Sequence, residues 1–412
     1  MRGRLWSAAL ATVVLGVSLG GGCRDPADEI YTRDLSAQEH QRVAAINGFG
    51  FRLFQEVVDR STSGNVVVSP LSVSLALGMT YNGAAGETEA AMAETLGATG
   101  MAREELNQAY HGLIDLLTRM DPKVRMEIAC SIWYREGFEV EPAFIDVNQT
   151  WFDAEVEALD FSAPDAADLI NGWVDDQTHG KITEIVDDPI DADARLFLIN
   201  AMYFKGTWTV QFDKGDTHDA EFHLADGTSR TVDMMKVVSD LSYHRGPGFQ
   251  AVDLAYGGAL FHMAVILPDP GKDLDELIGE VNDETWADLE GEFQITDVDL
   301  HLPRFELDFG TSLKDALGAL GMEVAFTPEA DFTGINPQEP LVIQDVKHKT
   351  YVKVNEEGTE AAAVTSVGGY VVTSVPMPTP LIVDRPFLFV IHDHHTRTVL
   401  FLGKVADPTA AL

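Results

Sequence analysis

Positive charge is scarce in this sequence. Against 66 aspartates and glutamates stand 28 lysines and arginines, a formal net charge of −38 at pH 7 over 412 residues. A surface of that sign resists aggregation and repels nucleic acid and anionic polysaccharide. No helix-like stretch carries a basic stripe, so activation by a heparin-like polymer is not expected. Cysteine is scarcer still, with only Cys23 and Cys130. Cys23 follows a leader-like segment, so an internal disulfide is not expected. Cys130 lies in the apolar run Ile128–Trp133 and reads as a buried, inert thiol. Long apolar runs are missing too. Leu5 to Leu19 is too short and too interrupted by Gly and Ser for a comfortable membrane span.

Catalytic motifs are equally absent. The sequence has no Gly-x-Ser-x-Gly elbow, no His-Glu-x-x-His, no phosphate-cradling glycine loop and no Gly-x-Gly-x-x-Gly. Asp187, Asp188, Asp191 and Asp193 lack the spacing and central glycine of a calcium loop. His392, His394 and His395, with Asp393 among them, fall between two strand-like runs and read as a polar hairpin turn. No metal, no cofactor and no enzymatic activity is expected.

What is present begins with an export signal over residues 1–22. Arg2 and Arg4 precede the apolar run, and Gly20-Gly21-Gly22 precede Cys23. Small residues directly before a cysteine resemble a bacterial lipobox, although Leu19 sits one place further from the cysteine than usual. Cys23 is therefore the candidate lipidation site, with ordinary secretion as the alternative. Residues 23–38 read as a polar tether, and the chain is expected to be extracellular or periplasmic, lipid-anchored and monomeric.

Residues 39–408 read as one body without repeats or a central linker. Helical periodicity marks Gln41–Val58, a start at Ser69-Pro70, Gly86–Leu96, Glu104–Met120 and Ala166–His179. Strand-like runs follow at Leu196–Tyr203, Phe249–Leu254, Phe261–Leu267, Asp297–Leu302, Pro386–His392 and Val399–Val405. Helices in the first half and strands in the second argue an α+β fold with large, mostly antiparallel sheets.

The most informative segment is 356–386. After Glu356-Glu357-Gly358-Thr359-Glu360-Ala361-Ala362-Ala363 no charge appears until Val383 is passed, and Pro376, Pro378 and Pro380 close the stretch. Gly, Ser, Thr and Pro rule out a membrane span, and β-branched residues past Val364 disfavour a helix. Thr359, Ala361, Ala363, Thr365, Val367, Gly369 and Val371 alternate and are mostly small. They would share one face of a strand able to slide between two others without overpacking the core. The prolines would stop that insertion.

Glu356–Ala363 resembles the hinge of inhibitory serpins. Other segments follow in that family's order: Asn65–Ser72, Tyr81–Thr88, Leu198–Trp208, Leu302-Pro303-Arg304-Phe305, Asp331–Gly334, Asp384-Arg385-Pro386-Phe387 and Phe401–Val405. The resemblance covers nearly all of residues 39–408. It implies a serpin-like fold with a reactive loop over about 356–380, cleaved after Val372 and before Thr373. Tyr370, Val371 and Val375 are alternatives. It implies a polar cluster of Ser69, Ser72, Asn200 and His348 beneath an opening sheet, Trp208 where the loop enters, and an Arg304–Glu356 pair at the hinge base. The implied activity is suicide inhibition of a serine protease, with a cysteine protease as a lesser option. Val371 and Val372 favour an elastase-like enzyme, Tyr370 leaves a chymotrypsin-like or subtilisin-like one, and a loop without Lys or Arg disfavours a trypsin-like one. The competing reading is a serpin-fold binding protein that inhibits nothing. An inserting segment also carries a liability, since it can enter another copy's sheet.

Overall fold

The computed structural model describes residues 29–62, 64–359 and 377–410. The expected positions Cys23, Glu360, Ala361, Ala362, Ala363, Val372 and Thr373 lie outside them. In chain order the helices are α1 (Ala37–Arg60), α2 (Pro70–Tyr81), α3 (Gly86–Thr95), α4 (Arg103–Arg119), α5 (Pro142–Phe152), α6 (Ala166–Gln177), α7 (Leu274–Glu280), α8 (Asp283–Glu292) and α9 (Lys314–Leu317). The strands are β1 (Val66–Val68), β2 (Val124–Arg135), β3 (Glu155–Leu159), β4 (Leu196–Thr207), β5 (His218–His223), β6 (Ser229–Gly246), β7 (Phe249–Ala255) and β8 (Phe261–Pro268). They continue as β9 (Gln294–Pro303), β10 (Phe305–Ser312), β11 (Lys347–Asn355), β12 (Gly358–Thr359), β13 (Thr379–Ile382), β14 (Phe387–Asp393) and β15 (Val399–Val405).

Two sheets organise these elements. A nine-stranded sheet runs β1-β15-β14-β8-β7-β6-β9-β13, with β5 also paired to β6. A six-stranded sheet runs β10-β11-β12-β4-β2-β3. Most pairs are antiparallel, and β2–β3 and β9–β13 are parallel. The helix α2 packs against β4 of one sheet and β15 of the other. It is apolar nearly all round and almost wholly buried, as a helix between two sheets must be. The Ser69 hydroxyl caps it and Pro70 fills its first turn, where a missing N–H costs nothing.

The α1 helix starts on a capping box in which Ser36 and Glu39 satisfy each other's backbone N–H groups. Its stripe of Val43, Ile46, Phe49, Phe54 and Val57 faces the core. The glycines that interrupt this stripe have a cause at Gly50, where a Cβ would lie 2.4 Å from Cβ of Pro70. Glycine there lets α1 touch the start of α2.

The tether reading of residues 23–38 needs correction at its C-terminal end. Tyr31 donates its N–H to the Met120 carbonyl at 2.9 Å and stacks under Arg119. Arg33 binds Glu39 at 2.5 Å and the Gly112 carbonyl at 2.8 Å. His395 meets the Arg33 carbonyl at 2.7 Å. This strap is docked by its one cation, Arg33, and by backbone groups that find partners on the body. Among the described residues no helix is long and apolar enough to cross a membrane.

Replacing Gly50 by Ala forces a methyl against a rigid proline ring. We expect Gly50→Ala to lower stability by about 1–3 kcal/mol, read as a lower urea midpoint, whereas Gly279→Ala, which meets open space, shifts it little.

Candidate functional site

The centre of the six-stranded sheet is unusual. The strands β4 and β11 run parallel, and among the described residues they are joined only through β12, which lies antiparallel to both. Gly358 stands opposite Asn355 and Thr207, and Thr359 opposite Val354 and Gly206. The Asn355 side chain sets the turn into β12, accepting from the N–H groups of Glu357 at 3.0 Å and Gly358 at 3.2 Å. Gly358 has φ +145°, and a Cβ on it would lie 2.0 Å from the Gly206 carbonyl oxygen. Only glycine fits.

The hinge base is held by charge and by ring stacking. The Glu356 carboxylate is buried, and Arg304 Nε donates to both its oxygens at 2.9 Å. Arg304 Nη2 adds a second bond, and the Thr217 hydroxyl donates at 2.5 Å. Burial alone would raise the pKa of Glu356, but these bonds hold its carboxyl below the usual range. Arg304 also reaches Asp233 at 3.0 Å. Glu357 pairs with Lys214 at 2.5 Å. Trp208 donates its backbone N–H to Glu357 and its indole N–H to the Asn355 carbonyl, both at 2.9 Å. Its ring stacks on Tyr256 with centroids 4.2 Å apart. The Tyr256 hydroxyl in turn meets the buried Thr359 hydroxyl at 2.7 Å.

A second polar group lies further along the same strands. Ser69 accepts from the Ser72 N–H at 3.3 Å and donates its own N–H to His348 Nε2 at 3.0 Å. His348 therefore accepts at Nε2 and is neutral with its proton on Nδ1. Burial pushes its pKa down to about 4. Asn200 does not join this chain. Its amide nitrogen turns to the Ala129 carbonyl and Cys130 Sγ, each at 3.3 Å, and its Oδ1 has no partner. Ser72, Leu198, Asn200, Val346 and His348 line one cavity of about 650 Å³ between the sheet and α2. The Cys130 thiol is pushed up to about 12 by burial, in keeping with an inert thiol.

The sequence therefore singled out Trp208, Arg304, Glu356, Glu357, Gly358 and Thr359 at one end, and Ser69, Ser72 and His348 at the other. It missed Tyr256, Lys214, Thr217 and Gly206, which act through packing between distant segments. Asn355 was legible in principle, since Asn-x-x-Gly is an Asx-turn pattern. The hairpin reading of the histidines fails at His392, which is wholly buried within β14, because the strand continues through Asp393.

The protonation state of His348 gives a pH dependence. Above pH 6.5, its ordinary value, the ring is neutral folded and unfolded. As pH falls from there to about 4, the unfolded chain takes up a proton that the native site refuses. Stability should then drop, by up to about 3 kcal/mol at the bottom of that window. Urea midpoints against pH for the wild type and His348→Gln should converge in slope elsewhere and differ there; identical slopes would exclude the assignment.

Comparison with known proteins agrees with this architecture. The model of the family described as serpin (serine protease inhibitor) matches residues 44–408. Iripin-8 of Ixodes ricinus is 34% identical over 391 residues, covering 90% of this chain and 95% of that protein. The leukocyte elastase inhibitor of Sus scrofa is 32% identical over 380 residues, covering 89% of this chain and 100% of that protein. The solved structure of human thyroxine-binding globulin in complex with its hormone superimposes with a TM-score of 0.83 at 26% identity, covering 91% of this chain and 100% of that one. A family match that spans both sheets and continues past the hinge leaves one conclusion: the chain belongs to the serpin family.

Proposed function

We propose that the chain is a single-use inhibitor of a serine protease, acting by covalent trapping and insertion of its reactive loop into the six-stranded sheet. The observation that carries this reading is β12, seated between β4 and β11 with a ladder on each side. If insertion continued its register, Ala361 would stand opposite Phe204 and Val352, and Ala363 opposite Met202 and Thr350. Thr365 would then fall between Asn200 and His348. The small alternating residues thus take the face that Thr359 already turns inward. Thr365 would bring a hydroxyl to Asn200 Oδ1, which has no partner now.

The chemistry follows from that geometry. A protease serine attacks the Val372 carbonyl, its bond to the Thr373 nitrogen breaks, and an acyl-enzyme remains. The freed segment zips between β4 and β11, gaining backbone pairs and buried surface. Insertion carries the protease along before water can deacylate it. The valines favour an elastase-like target, and the name of the porcine relative points the same way. A binding role on the same fold, as in thyroxine-binding globulin, is the alternative. The inward hinge residues are small here, which supports insertion over mere binding.

Thr359→Arg forces a long, charged side chain into a buried position against Tyr256, at a cost of several kcal/mol. With an elastase-like protease, the wild type should give a band at the summed mass on a denaturing gel. The variant should be cleaved near Val372 and leave the protease active. Cleavage of the wild type without a complex, across serine and cysteine proteases, would favour the binding reading. We further propose export and lipid anchoring at Cys23. Expressed in a bacterium, the wild type should fractionate with membranes and Cys23→Ser should be released; equal release of both would mean ordinary secretion.

A further inference from the structure

A second cluster lies in the nine-stranded sheet, away from the hinge. His392 on β14 and His262 on β8 are direct ladder partners, and Asp253 sits on the adjacent β7. Three imidazoles converge on the Asp253 carboxylate. His392 Nε2 lies 3.1 Å from Oδ1, and His262 Nδ1 and His394 Nε2 lie 2.8 and 3.4 Å from Oδ2. The side chains of Asp253 and His392 are 1% and 0% exposed, whereas His394 is 48% exposed at the rim.

The outer nitrogens are as telling. Glu290 of α8 stands 3.2 Å from His392 Nδ1, and the Ala259 carbonyl stands 3.3 Å from His262 Nε2. An acceptor near the outer nitrogen is what a metal-bound histidine keeps, and without an ion His392 Nε2 shares a hydrogen bond of 3.1 Å with Asp253 Oδ1. His262 and His394 stack with ring centroids 4.1 Å apart, which holds the exposed His394 ring over the cluster. Despite its 2.8 Å approach, His262 Nδ1 makes no bond of good geometry, and His392 Nδ1 makes none either.

We propose that Asp253, His392 and His394 bind one divalent transition-metal ion of the zinc class, with the fourth position open to water past the rim. Ligands about 2.0–2.1 Å from a tetrahedral ion stand about 3.3 Å apart, close to the 3.1 and 3.4 Å separations here. The inner ligand atoms of Asp253, His392 and His394 all lie within 4.8 Å of one another. Imidazoles with one carboxylate suit zinc or cobalt, whereas calcium and magnesium require oxygen ligands. The ion enters past His394 and displaces the proton shared between His392 and the carboxylates. Bound there, it ties β7, β14 and the β14–β15 turn together, and Glu290 adds α8.

The test uses the untagged, chelator-stripped chain, titrated with Zn²⁺ by calorimetry and with Co²⁺ by visible absorption. We expect one Zn²⁺ per chain, a rise in the unfolding temperature with Zn²⁺, and the intense visible bands of tetrahedral Co²⁺. His394→Ala alters only a rim side chain and should weaken Zn²⁺ binding at least about tenfold. Glu290→Gln should weaken it about 10–100-fold, with circular dichroism reporting that both variants fold. Absence of saturable Zn²⁺ binding, or binding that neither variant weakens, overturns the proposal and assigns any residual binding to other surface histidines.

Discussion

The structure turns on how two parallel strands, β4 and β11, are kept in one sheet. Neither supplies the other with a ladder among the described residues, and Gly358–Thr359 joins them at one end. Everything at the hinge serves that narrow join. Gly358 lets the neighbouring backbone approach, Gly206 leaves room for the Tyr256 ring, Asn355 sets the turn, and Trp208 closes the backbone groups on either side. A carboxylate as buried as Glu356 would be destabilising alone. Arg304 and Thr217 make it a fixed post from which the loop departs.

The same layout explains what the sequence revealed. Helices α1, α4 and α6 were legible from their apolar stripes, α2 from its Ser69-Pro70 start and α3 from its Gly86 start. Strands β4, β7, β8, β9, β14 and β15 were legible as buried Val, Ile, Leu and Phe runs. The long β6 was not, because its exposed half is polar and carries Lys236, Asp240 and Arg245. Strand β11 alternates Lys with Val and Thr, and its buried face emerges only once it packs over β1. The helices α7 and α8 are short and acidic, and their stripes are too brief to register.

At the site, legibility divided along another line. Local pattern exposed the hinge, since Glu-Glu-Gly-Thr followed by alanines is compact in sequence. Partners contributed by distant segments stayed hidden: Tyr256 beneath Thr359, Lys214 beside Glu357, and Asp253 beneath three histidines. A residue such as His392 reads as part of a polar turn by its neighbours and becomes a buried group only when β14 is seen to run on through Asp393. Sequence separation, not chemistry, decided what could be read.

The docked strap at Tyr31–Glu39 has a consequence for orientation. Tyr31 is held at Met120, a few residues before Val124, whose ladder partner is Gly206, itself opposite Thr359. The strap therefore leaves the body at the hinge end of the sheet. Tyr31 lies eight residues after Cys23, a reach of at most about 28 Å. An anchor at Cys23 would hold the mouth of the sheet close to the bilayer. Under the proposed mechanism, an enzyme carried toward the far pole of the sheet would end up on the side away from that bilayer.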